Sequence, residues 1–335
     1  MDENHGKKKY CPDCGEYVTR RDFMKAAAGT AAAAATLAKT PVWASTWRDE
    51  KPEDLVKRFY TTLTDKQKEK MAFPWDHKLR TKVSNNWKIT EPEIGTFYTG
   101  DQQQILRDLF KGLVNPDWIQ RWQKQMKDDN DGAGFEKYHV AMFGDPSQGK
   151  YEWVMSGRHV TMRCDGNSTE NTAFGGPIFY GHAAEGFNEK ANHPGNIFWP
   201  QALAANEVYQ AMDGKQREQA LLEKSPADDE KSIIIKANGP YPGIAVAELS
   251  KDLKGLVEKT MKMLLEPYRT SDAHDAMKFI QDGGGVDKLW IAFYKEEDIG
   301  NDGVWDRWAL RGPTLSWYFR GSPHVHTWVN VGKPA

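Results

Sequence analysis

The apolar positions of this chain fall into helical spacing first, then strand spacing, then helix and strand again. Leu55, Val56, Phe59, Tyr60 and Leu63 recur on one face and predict a helix over 52–72, with Thr64–Gln67 opening a further short turn. After an irregular stretch over 73–95, Ile105, Leu106, Leu109, Phe110, Leu113, Trp118, Ile119 and Trp122 form a second stripe over 99–127, broken near Asn115-Pro116. Period-two patterning then takes over. The spacing predicts strands over 138–143, 151–164 and 177–180, with Gly144-Asp145-Pro146-Ser147 and Asp165-Gly166-Asn167 as turns. In a single strand over 151–164, Trp153, Met155, Gly157, His159, Thr161 and Arg163 would share one face, and Arg158 would point to the other. Helical spacing returns over 200–224, with a break at Gly214, and over 249–268 and 271–281. Four strand candidates close the chain, over 289–295, 304–310, 314–320 and 324–331, with turns at Gly312-Pro313 and Gly321-Ser322-Pro323.

This order of helices, strands, helices and strands predicts an α+β fold with a mostly antiparallel sheet and helices packed on it. The 335 residues, 39% hydrophobic and with a net charge of -2, fit a single large domain over 45–335. No basic excess points to nucleic acid. Residues 1–44 read differently. Thr19-Arg20-Arg21-Asp22-Phe23-Met24-Lys25 is a twin-arginine pattern, followed by an Ala-rich run over 26–38 and a cleavage-like Val42-Trp43-Ala44. These features predict an export signal that engages the twin-arginine machinery, hence a periplasmic or secreted protein with no permanent membrane span after cleavage. Cys11 and Cys14 form a Cys-x-x-Cys in the n-region, which alone cannot complete a four-ligand zinc site. Cys164 reads as a buried, inert thiol.

The chemistry concentrates in histidines. His324 and His326 flank Val325 in a strand, so they share a face one pleat apart and form a natural pair of metal ligands. His159 lies in another strand segment and His182 closes a third, so neighbouring strands would gather three or four imidazoles. His139 and His193 read as surface or loop residues, and Glu185 and Glu207 as candidate oxygen ligands or bases. Asp128-Asp129-Asn130-Asp131-Gly132 resembles the start of a calcium loop, but His139 stands where the closing Glu would be, so it reads as a polar loop. Nucleophile elbow, phosphate loop, dinucleotide Gly motif and paired-carboxylate motif are all absent from the sequence.

Five segments in order carry a resemblance: Phe143-Gly144-Asp145-Pro146, Trp153-x-x-x-Gly157-Arg158-His159, Pro177-x-Phe179-x-Gly181, Glu207 with downstream Gln216-Arg217, and His324-Val325-His326-Thr327. From about Asp65 to the C-terminus the chain resembles the exported bacterial and fungal domain-of-unknown-function family 3500. Its pattern has Gly-His-His where this chain has Gly157-Arg158-His159, and His-Ile-His-Thr near the end. The resemblance implies a site at His159, His324 and His326 and gives no reaction. The chain departs from the pattern at Arg158, where the family has a histidine, and at His182, where it has a small residue. His182 is therefore the candidate to restore a ligand.

These observations set the expectation of an exported metal-dependent oxidoreductase acting on a small-molecule substrate, with copper or iron ahead of zinc. His159, His324, His326 and His182 are its candidate ligands. The alternatives are a zinc-dependent hydrolase that activates water, or a non-catalytic protein that stacks a glycan or aromatic ligand on Trp305, Trp308, Trp317, Tyr318 and Trp328.

Overall fold

The computed structural model describes residues 50–184, 195–299 and 302–333, together with the backbone of 9–11 and 16–18. Those last two segments are three-residue strands, Lys9–Cys11 and Glu16–Val18, paired antiparallel with Tyr10 opposite Tyr17. The rest of the expected export signal, including Cys14 and the cleavage site after Ala44, lies outside the described residues, as do Glu185 and His193.

The helices in chain order are α1 (Pro52–Thr62), α2 (Asp65–Met71), α3 (Ile94–Phe97), α4 (Gly100–Leu113), α5 (Ile119–Asp129), α6 (Trp199–Ala211), α7 (Gly214–Ala220), α8 (Lys251–Leu265) and α9 (Thr270–Asp282). The strands are β1 (Ala72–Phe73), β2 (His139–Asp145), β3 (Lys150–Gly157), β4 (Val160–Cys164), β5 (Ile178–His182), β6 (Leu221–Leu222), β7 (Ile244–Ala245), β8 (Trp290–Tyr294), β9 (Arg307–Gly312), β10 (Leu315–Arg320) and β11 (Val325–Val331). All eleven join one sheet in the order β1-β2-β3-β4-β5-β11-β10-β9-β8-β6, with β7 also on β8. Only the short β1 and β6 pair in parallel; every other pairing is antiparallel, so the expected α+β class holds. No helix among the described residues is long and apolar enough to cross a membrane.

The two sheet faces are built differently. Val140, Met155, Met162, Tyr180, Val329, Trp317 and Leu310 point to the face covered by α1, α4, α5, α6, α8 and α9, where one large apolar core forms. The alternate residues point to a face covered by irregular chain. There Phe179, Tyr318 and Trp328 pack with Val83 and Ile233, and Ala141, Phe143 and Val154 pack with Trp87 and Ile89. Irregular segments carry backbone groups that no ladder satisfies, and side chains of the sheet take them up. Ser156 Oγ accepts from Ile89 N at 2.8 Å, and Ser316 Oγ donates to Ser232 O at 2.9 Å.

Several expected elements change at caps and turns. The helix expected over 52–72 divides because Thr64 starts α2 with a reciprocal capping box to Gln67. The helix expected over 200–224 divides in the same way at Asp213, which caps α7 through Gln216. The single strand expected over 151–164 is two strands: Gly157 pairs with Val160, and Arg158-His159 form the two-residue hairpin tip. His159 takes φ 57° there while Arg158 keeps φ outside the positive region, the pattern of a type II turn rather than the primed turns usual in hairpins. His139 is buried on β2, not at the surface, and its Nδ1 meets Pro92 O at 2.9 Å. Trp308, Trp317, Tyr318 and Trp328 are buried and fill the two cores, so they present no aromatic row to solvent. Cys164 is a buried free thiol, its ionisation pushed up by burial.

Candidate metal centre

The antiparallel order brings one end of five central elements together. These are the tip of the β3–β4 hairpin, the C-terminal ends of β5 and β10, and the N-terminal ends of β9 and β11. Gly181 of β5 lies opposite His326 of β11, and Arg320 of β10 lies on its other side. The hairpin tip is held against this point from three directions. Gly181 N donates to His159 O at 3.0 Å, His159 N donates to Asn85 O at 2.8 Å, and the Tyr138 hydroxyl donates to Arg158 O at 2.9 Å.

His159, His324 and His326 therefore converge. All three are buried, at 0%, 1% and 0% exposure, and they form the one histidine, cysteine or carboxylate group of metal-binding spacing among the described residues. His324 Nε2 lies 3.0 Å from His326 Nε2, which lies 3.1 Å from His159 Nε2. Nitrogens held about 2.0–2.1 Å from one ion stand about 3.4 Å apart at tetrahedral angles and about 2.9 Å apart at right angles. The observed spacings lie between these limits, nearer the second. The ligand atoms of all three residues lie within 4.8 Å of one another, so the trio could share a single ion.

The far side of two rings is fixed by carboxylates. His159 Nδ1 is 2.9 Å from Asp129 Oδ1, and His326 Nδ1 is 2.8 Å from Asp228 Oδ2. Asp129 is buried and also accepts from Gln125 Nε2 at 2.6 Å and from Ala183 N at 3.0 Å. Burial alone would raise its ionisation, but the charge and hydrogen bond of His159 outweigh this and hold it below the usual carboxylate range. Asp228 accepts from Arg320 at 2.7 Å and from Trp328 Nε1 at 2.7 Å as well. A carboxylate with such donors accepts from the histidine, so Nδ1 carries the proton on each ring and Nε2 carries a lone pair. Burial lowers the ionisation of His159 despite Asp129. Burial, Arg320 and then the neighbouring His159, Arg158 and Arg307 lower that of His326 well below its ordinary value. Both rings are therefore neutral at about pH 7, the form that binds metal, and His159 carries the charge that lowers Asp129 only in acid.

His182 does not join the trio. Its Nε2 is 2.8 Å from Asp128 Oδ2 and its Nδ1 accepts from Ile197 N at 3.1 Å, so both ring nitrogens are engaged away from the other three. The candidate fourth ligand is instead a fastener between α5 and the end of β5. Arg158 contributes no ligand atom. Glu207 pairs with Lys259 at 2.6 Å on the surface, outside the histidine group.

Sequence reasoning missed the two carboxylates that orient the ligands. Asp128 and Asp129, expected in a polar loop, are the last residues of α5. A pair of aspartates at a helix C-terminus opposes the helix dipole, so it needs cationic or donor partners. That conflict was the available signal. Asp228 sits in a charged stretch and gave none. A family model described as protein of unknown function, DUF3500, matches residues 49–329. No curated protein and no solved structure matches the chain.

Proposed function

The chain belongs to the DUF3500 family, which brings no reaction with it, and we propose that it is an exported metalloprotein, a copper- or iron-dependent oxidoreductase for a small-molecule substrate, with the metal on His159, His324 and His326. One observation carries the metal. The Nε2 atoms of His326 and His159, each on a ring whose Nδ1 is committed to an aspartate, face each other at 3.1 Å. An N–H from His324 can satisfy one of these lone pairs, not both, and a cation at the common point resolves all three at once. Three neutral imidazoles without a thiolate suit copper, iron or zinc. The twin-arginine pattern at 19–25, which serves proteins that fold before export, and the lack of any hydrolase motif favour copper or iron.

Elemental analysis tests this on protein exported and purified without chelator or affinity histidines, beside the His324→Ala/His326→Ala double variant. Copper or iron near one per chain, lost in the variant, is the expected result. Zinc lost in the same way would replace redox chemistry with hydrolysis through activated water. Wild-type protein without metal would overturn the proposal.

A further inference from the structure

Beside the three histidines lies a second set of buried polar groups. In register, Arg307 of β9 is opposite Arg320 of β10, and Arg320 is opposite His326. The alternation of side chains puts all three on the face covered by irregular chain. Arg307 is 6% exposed and Arg320 2% exposed. Two like charges directly opposite on neighbouring strands repel, and burial strengthens the repulsion.

Each arginine has a carboxylate partner, that of Arg320 shared with other donors and that of Arg307 largely exposed. Asp228 accepts from Arg320 and is shared with His326 and Trp328. Arg307 pairs with Glu297, whose side chain is 62% exposed, and otherwise donates to neutral groups: Ser225 Oγ at 2.9 Å and Ser322 O at 3.3 Å. Its Nε–H is buried and meets no acceptor among the described residues. With a divalent ion on the trio, the two buried arginines and the ion outweigh Asp129, Asp228 and Glu297 by one positive charge. Arg158, beside the hairpin tip, adds to the same sign.

We propose that Arg307 and Arg320 form the oxyanion-binding part of the substrate site, so that the substrate carries a carboxylate, phosphate or sulfate group held next to the metal. A planar guanidinium offers paired donors that fit such a group, and a buried oxyanion would neutralise the excess charge and meet the unsatisfied Nε–H. The Tyr318 hydroxyl is one residue pair along the same face and stays protonated because burial raises its ionisation. It supplies a further donor. The proposal deepens the metal-centre reading, from which it takes only the charge of the ion.

The test is calorimetric titration of the full chain with inorganic phosphate and, separately, acetate, at constant ionic strength in chloride, beside Arg307→Gln and Arg307→Lys. Saturable binding of one anion is expected, weakened at least tenfold in Arg307→Gln and less in Arg307→Lys, with metal content unchanged in both. Tighter phosphate binding would indicate a phosphorylated or sulfated substrate, tighter acetate binding a carboxylate. Circular dichroism identifies a variant that has lost its fold; should Arg307→Gln do so, the loss in Arg307→Lys decides. Absence of anion binding to the wild-type chain, or equal binding by the folded variants, would overturn the proposal. Metal retained without anion binding would sink this inference alone; anion binding without metal would sink only the metal reading.

Discussion

At the scale of single residues, the centre depends as much on the groups behind the imidazoles as on the imidazoles. Asp129 and Asp228 each fix a tautomer, and removing the charge lets the ring turn or shift its proton. Asp129→Asn and Asp228→Asn are expected to weaken metal binding by about 10- to 100-fold, read by competition with a chelator of known affinity. Unchanged affinity in both would mean that the rings are oriented by packing alone. The sequence disclosed the candidate pair because His324 and His326 sit at the period of a strand, a pattern visible without any structure. It could not disclose Asp228, since an aspartate in a charged, loop-like stretch looks the same whether it faces water or a histidine. The expected placement of His159 on a strand face fails, because the alternation argument assumes a continuous strand, while the match to the family's Gly-His-His pattern named the residue without it. The residue reaches the centre by lying at a hairpin tip.

At the scale of elements, the hairpin and the β5–β11 pairing set the geometry. The two-residue tip was illegible because Arg158-His159 lacks the Gly or Asn that announces such turns. The meander of β8 to β11 was legible because its turns carry Gly and Pro and its strands alternate cleanly. Gly181 is where the elements approach most closely. A Cβ there would overlap the Val325 carbonyl oxygen and press on the His159 ring, whose Cγ would be 3.3 Å away. Backbone cannot move aside as a side chain can. Gly181→Ala is therefore expected to destabilise the fold by about 1–3 kcal/mol and to lower metal occupancy with it, measured by denaturant unfolding and elemental analysis on one preparation. A variant of wild-type stability and occupancy would show that β5 can shift without disturbing the centre.

At the scale of the whole molecule, stability carries a pH signature from a residue outside the centre. Asp306 is fully buried, and burial together with Asp298 and Asp302 raises its ionisation to about 7. Below about pH 4 the folded and unfolded chains both hold this proton. Between about pH 4 and 7 the unfolded chain has released it and the folded chain has not, so this contribution to stability falls as the pH rises, by a few kcal/mol at most. Asp306→Asn is expected to flatten that part of the profile and to be the more stable protein at pH 8, as chemical denaturation at a series of pH values would show; an unaltered slope would refute it. The order of the strands has a different consequence. β11, which carries His326 and follows directly on His324, is the last of the sheet in sequence yet inserts between β5 and β10 at its middle. A ribosome must release everything from His159 through His326 before the three imidazoles can meet. A metal held by all three would therefore be captured only after β11 docks, and metal content would then count the molecules in which that docking has occurred.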